Sequence, residues 1–148
     1  MTQHAEQRSL SFPAEFIFDI VADVERYPEF LPWVLEAKII SKGDHKFVAD
    51  LTIGYQFYKD TYRSEVILTP HEQIGINYIK GPFKYLHNRW FFTPTSPNDV
   101  DVNFFIDFEF ESSFFQSMIQ KVFAHAVGKM VTAFEQRARV LSHRTRYR

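Results

Sequence analysis

Apolar and polar positions change period three times along this chain, and the changes mark out its elements. Glu6 to Phe12 reads as a short first strand. Pro13 then opens a helix, with Glu15 in the first turn where the dipole favours an acid. Phe16, Ile17, Ile20, Val21 and Val24 follow at helical spacing. The helix has to stop before Tyr27-Pro28, because the residue ahead of a proline avoids the helical region. Pro28 and Pro32 enclose Glu29-Phe30-Leu31, which leaves room for one turn.

From Ala37 onward the period is two. Ala49, Leu51, Ile53, Tyr55 and Phe57 alternate with Asp50, Thr52, Gly54 and Gln56, the pattern of a half-buried strand. Tyr62, Ser64, Val66 and Leu68 form the next face, and Ile74, Ile76 and Tyr78 continue it after Pro70. Gly81-Pro82-Phe83 interrupts the pattern. A strand resumes over Tyr85 to Thr93, turn residues cluster from Pro94 to Asp99, and a last strand puts Val102, Phe104, Ile106, Phe108 and Phe110 on one face. Gaps this short hold no crossover helices, so the strands form an antiparallel meander.

The third change comes at Ser113, which makes a capping box with Gln116. Phe115, Ile119, Val122, Ala126, Met130, Phe134 and Leu141 then share one face of a helix of about 30 residues, roughly 45 Å long. Gly128 inside it costs up to about 1 kcal/mol relative to alanine. Close approach of helix and sheet is the leading reason for it; a kink beside a ligand is the sharper alternative.

This order predicts an α+β fold of the helix-grip kind. A curved antiparallel sheet of about seven strands wraps one long C-terminal helix, with a short helix and a turn after the first strand. A sheet wrapped on a single helix encloses space that neither fills. The chain also carries 17 Phe, 7 Tyr and 2 Trp. Such side chains either pack a solid core or wall a cavity, and periodicity alone leaves both open.

The chain's 148 residues fit one domain, 1–148, large enough to fold without metal or disulfide. The absence of cysteine removes a disulfide framework, a thiolate metal site and a cysteine nucleophile. A formal net charge of -1 argues against a nucleic-acid partner. Met1 to Phe12 lacks a signal-peptide core, and no apolar run reaches transmembrane length. The expectation is a cytoplasmic protein, with peripheral contact at the inner face of a membrane.

Catalytic motifs mostly fail. His71-Glu72-Gln73-Ile74-Gly75 begins like a zinc-protease helix but lacks the second histidine. No phosphate loop is present, and no nucleophile has a visible base. His87 and His125 read as solvated or satisfied. Asp107 and Glu109 face away from the helix and are expected to pair with Arg63 or Arg89 across the sheet. No catalytic residue, metal set or required cofactor is assigned.

Tyr27-Pro28-Glu29-Phe30-Leu31-Pro32-Trp33 resembles the signature of the coenzyme Q-binding protein family, part of the START-related, polyketide cyclase-like superfamily. Gly81-Pro82-Phe83-Lys84-Tyr85-Leu86-His87-Asn88-Arg89-Trp90 is similar to that family's Gly-Pro-Phe segment and the following strand. Ile106 to Phe110 resembles its last strand, and Lys129 to Ala138 the end of its last helix. Val34 stands where cysteine is common in the family. The resemblance implies a START-like helix-grip fold with a hydrophobic cavity for ubiquinone or a related polyprenyl lipid. It implies a quinone chaperone or carrier serving quinone biosynthesis and respiratory proteins, not an enzyme. The same superfamily holds a ribosome-association toxin and aromatase/cyclases, which supply the alternatives. A ribosome-contacting protein would use the basic tail of Arg137, Arg139, Arg144, Arg146 and Arg148.

The candidate cavity walls are Phe57, Tyr62, Tyr78, Trp90, Phe108, Phe115, Ile119, Phe123 and Met130. Asn88 shares the inward face of Leu86, Trp90 and Phe92, and its NH₂ group would suit either a quinone carbonyl or the adjoining backbone. Phe30, Leu31 and Trp33 form an apolar segment between two prolines, expected either to dock on a membrane and gate the cavity or to fold back as a plug.

Overall fold

The computed structural model describes residues 2–55 and 57–146, with the side chains of Thr2, Tyr55, Val122, Ala124 and 144–146 outside the description. In chain order it has β1 (Thr2–Leu10), α1 (Ala14–Ala22), a 3-10 turn (Val24–Glu29), β2 (Val34–Gly43), β3 (Lys46–Tyr55), β4 (Tyr58–Thr69), β5 (Gln73–Lys80), β6 (Phe83–Ser96), β7 (Asp99–Phe110) and α2 (Ser113–Arg146). The seven strands form one antiparallel sheet, ordered β1-β7-β6-β5-β4-β3-β2. The meander from β2 to β7 is complete, and β1 closes onto β7 at the far edge.

Bulges bend this sheet around the helix. β2 carries two, between Val34 and Glu36 and between Ile39 and Ser41. The extra residues, Leu35 and Ile40, are pushed outward and stay exposed, as a bulge demands when two residues oppose one. Further register shifts lie in β5, where Lys80 and Tyr78 face Arg63 and Ser64 of β4, and at both ends of β6.

The long helix starts one residue earlier than its sequence pattern implies. The Ser112 hydroxyl, not that of Ser113, accepts the Phe115 N–H, which makes Ser112 the N-cap. Gln116 reaches the preceding strand. Its side-chain carbonyl accepts the Phe110 N–H at 2.9 Å and ties the helix to the end of β7.

The core is concentrated at one end. Ile17, Phe18 and Val21 of α1, with Tyr27 and Leu31, pack against Trp90, Phe92 and Phe104 of the sheet and Val127, Val131, Phe134 and Ala138 of α2. Phe134 is a hub, with ring centroids 5.2–5.4 Å from Tyr27, Phe30 and Trp90. Here α1 and the C-terminal half of α2 fill the concave sheet together. The N-terminal half of α2 has no such companion. A second, smaller aromatic cluster lies beneath it, built on Tyr58, Phe83, Leu86, Phe108 and Phe110.

Gly128 is not a point of close approach. A Cβ built there would meet nothing within 4 Å, so packing against the sheet does not explain the glycine.

Candidate functional site

A cavity of about 200 Å³ lies under the N-terminal half of α2. Its floor is Ile53 and Gly54 of β3, Tyr58 and Tyr62 of β4, Phe83 and Leu86 of β6, and Ile106, Phe108 and Phe110 of β7; Ile119, Phe123, Ala126, Val127 and Met130 of α2 form the roof and Trp33 one flank. No charged side chain lines it among the described residues. The volume is on the scale of the roughly 150 Å³ apolar cavity that admits a benzene ring. The cavity exists because the sheet is curved along its whole length while α1 fills only one end.

Of the sequence-predicted wall residues, Tyr62, Phe108, Ile119, Phe123 and Met130 line this space. Phe115 and Tyr78 pack behind it: the Phe115 ring lies 4.3 Å from that of Tyr58, and the Tyr78 hydroxyl accepts the Phe83 N–H at 3.0 Å. Trp90 belongs to the other end, where it borders a void of only about 20 Å³ beside Val21, Phe104 and Phe134.

Phe57 is a correction. It is fully exposed, in the turn between β3 and β4. Tyr55 pairs with Tyr58 across that hairpin, so Tyr58 takes the inward position expected of Phe57. Asn88 faces inward as expected but is already engaged. Its NH₂ donates to the Phe105 carbonyl at 2.8 Å, and its own carbonyl accepts the Trp90 indole N–H at 3.3 Å. It does not reach the cavity.

The segment between the prolines folds back. Leu31 is 4% exposed within the main core. Phe30 is half-buried against Tyr27 and Phe134, with the Arg137 guanidinium 5.1 Å from its ring centroid. Both side chains pack inward, Leu31 in the main core and Phe30 on its edge. Trp33 is half-buried on the cavity's flank.

The outer face also differs in its pairings. Arg63 grips Asp50 through two hydrogen bonds at 2.8 and 3.0 Å, and Lys84 meets Glu109 at 3.0 Å. Arg89 binds the carbonyls of Ile76 and Asn88 and the Asn77 side chain. A polar row that the sequence did not reveal faces the helix instead: on β1, Arg8 bonds Glu6 and reaches Thr132 and Glu135 of α2.

Burial sets the state of the phenols. Tyr62 lies deep in the molecule, and desolvation alone pushes its pKa up to about 12. Desolvation raises Tyr58 as well, aided by the Asp60 carboxylate on the same strand face. Both are neutral O–H groups at physiological pH.

The sequence profile of the family described as "Polyketide cyclase / dehydrase and lipid transport" matches residues 10–135. A protein of Rickettsia prowazekii named "Ribosome association toxin RatA" is 34% identical over 143 residues, 94% of this chain and 97% of that one. A Xenopus laevis protein named "Coenzyme Q-binding protein COQ10 homolog B, mitochondrial" is 31% identical over 140 residues, 92% of this chain and 57% of that one. Among solved structures, the Zhui aromatase/cyclase of Streptomyces superposes with a TM-score of 0.82 at 16% identity over 93% of each chain, a likeness of fold alone. An 18 kDa protein of Caulobacter crescentus superposes with a TM-score of 0.78 at 28% identity, covering 97% of this chain and 99% of that one.

Proposed function

The chain belongs to the polyketide cyclase/dehydrase and lipid transport family, and from that premise we propose that it binds a neutral lipophilic quinone under α2 and carries it. The cavity is the observation that carries this reading: it is walled by aromatic and aliphatic side chains and no charge. A carboxylate or phosphate head would be stranded there without a cation, at a cost of several kcal/mol. A quinone ring is apolar on both faces and needs no counter-ion. Ten buried carbons contribute roughly 8 kcal/mol before ordering costs. The relative named for coenzyme Q binding supports the same choice. A volume of about 200 Å³ takes a substituted ring and not a long prenyl tail, so the tail leaves by the mouth.

At that end of the molecule two large aromatics are bare: Phe57 on the β3–β4 turn, and Phe114, 71% exposed, at the start of α2. Their neighbours Tyr58 and Phe115 touch. Handover at a membrane surface is part of the proposal, and these two side chains are the surface it assigns to that contact. The reading is of a carrier and not a catalyst. The titratable groups in the cavity wall are two protonated phenols, which supply no base.

Mass spectrometry of organic extracts from the natively purified protein tests the proposal. A co-purifying prenylated quinone, or saturable binding of added decylubiquinone, is the expected result. Recovery of none together with no binding would sink it.

A second reading is ribosome contact, favoured by the printed name of the Rickettsia relative. The described arginines of α2 are engaged, Arg137 with Glu29 and Arg139 with Glu135, and the side chains of Arg144, Arg146 and Arg148 lie outside the described residues. Co-sedimentation with ribosomal subunits in a sucrose gradient separates this reading from the first.

A further inference from the structure

We infer that the Tyr62 hydroxyl is the polar anchor of the cavity, donating a hydrogen bond to a carbonyl oxygen on the ring of the bound ligand. This rests on the carrier reading and adds the chemical feature the ligand must present.

The cavity wall is apolar apart from the hydroxyls of Tyr58 and Tyr62 and the Trp33 indole. The two hydroxyls differ in accessibility. That of Tyr58 is occluded and lies beside the Asp60 carboxylate. That of Tyr62 makes no hydrogen bond to a described residue, yet it is not among the occluded unpaired atoms. The ring lines the cavity, and the proposal places its hydroxyl toward that space. The fold holds the ring in place from behind: Phe83 packs edge-on with centroids 5.5 Å apart, and the Gly81 backbone lies directly against the Tyr62 Cβ.

A hydroxyl in that position bonds only to what enters the cavity. Burial holds it protonated, so it is a donor. A carbonyl accepts and brings no proton needing a partner of its own, so the pair leaves nothing unsatisfied. An alkane leaves the phenol unpaired. A carboxylate would accept the bond but bring an uncompensated charge. The site therefore selects neutral ketone- or quinone-type rings over hydrocarbons of equal size. Asn88, the residue whose sequence position suited this role, has its amide engaged elsewhere.

The test compares decylubiquinone with decylbenzene in the full-length protein. Quenching of Trp33 fluorescence reports the first, and competition against that quenching reports the second. Tyr62→Phe removes one oxygen and keeps the ring. It is expected to weaken decylubiquinone about 5- to 10-fold, the range of a net hydrogen bond, with decylbenzene affinity unchanged. Tyr78→Phe is the control: its hydroxyl binds the Phe83 N–H and does not line the cavity, so quinone affinity should hold. Unchanged quinone binding in Tyr62→Phe, or an equal loss for both compounds, overturns the anchor while leaving the carrier reading standing. Failure of the wild type to bind either compound overturns the carrier reading and the anchor with it.

Discussion

Truncating two phenylalanines of equal burial should separate the cavity from the core. Phe108 and Phe134 are each 7% exposed. Phe134 packs against the rings of Tyr27, Phe30 and Trp90 in the main core. Phe108 packs edge-on against Phe83, Phe110 and Phe123, at 5.5, 5.7 and 5.1 Å, but presents a face to the cavity. Phenylalanine-to-alanine changes in cores cost about 3–5 kcal/mol, because contacts are lost and a void remains. Phe134→Ala should fall at the upper end, since the only space beside its ring among the described residues is a void of about 20 Å³ and nearly all its contacts are lost. Phe108→Ala should fall at the lower end, since the cavity side of its ring already lacks partners. Ligand response should invert this order. Saturating decylubiquinone at 100 times its Kd stabilises the wild type by about 2.7 kcal/mol. Phe134→Ala should show the same increment, because its site is independent of the cavity. Phe108→Ala removes part of the apolar wall, at a loss of about 25 cal/mol per Å² of contact with the ligand, and the increment should shrink. Urea denaturation with and without ligand measures all four quantities. If Phe134→Ala lowers the ligand increment and Phe108→Ala does not, the assignment of core and cavity is reversed and the reasoning fails.

Ser112→Ala should cost about 1 kcal/mol by removing the cap on α2, and Ser113→Ala much less; thermal melts of the two decide which serine is the cap. Gly128→Ala should stabilise the helix by about 0.5–1 kcal/mol, because the new methyl meets open space; a lower melting temperature would refute this. Gly81→Ala should destabilise by more than 1 kcal/mol, because Gly81 sits at φ +146 and a Cβ would come within 2.9 Å of the Tyr62 backbone; native-like melting would contradict it. Burial raises the Glu6 carboxyl, but bonds from His4 and Arg8 outweigh it and hold the folded pKa below 4.5. That stabilisation is present above pH 4.5 and is lost as pH falls through the folded value, so Glu6→Gln should flatten the acid limb of a stability–pH curve.

The architecture was legible because its signals were long. Alternation over β3 to β7 and the apolar face of α2 each run for several periods, and a strand between two others in a meander has few alternative partners. The site was legible only where its residues lay on those unbroken faces, as Phe108, Ile119 and Met130 do. Phe57 shows what alternation cannot settle. Odd positions face inward through Ile53, and even positions face inward from Tyr58 onward. The reversal requires a turn in between, but the pattern does not say which residues form it. Phe57 continued the old phase and stood in the turn; Tyr58 began the new one and took its place in the wall.

Gly128 and the proline-bounded segment stay open in the sequence for a different reason. Both were read from local composition, and their roles depend on what lies opposite. Apolar residues in a loop mean either a buried plug or a bare surface, and only the third dimension distinguishes them. Leu31 sits in the main core with residues of α1 and Phe134, while Phe57 on the β3–β4 turn and Phe114 on the first turn of α2 stay bare. The same asymmetry accounts for the cavity. One short helix after β1 fills half of a groove that α2 spans entirely, and the unfilled half is the space under its first turns. Function on this reading follows from an omission in the fold. Lengthening the core at that end would stabilise the protein and remove its ligand site, so a filled cavity should raise the melting temperature and abolish quinone binding together. Ile119→Trp, placed on the roof, is the variant to make. A rise in stability with binding retained would mean that the ligand lies elsewhere.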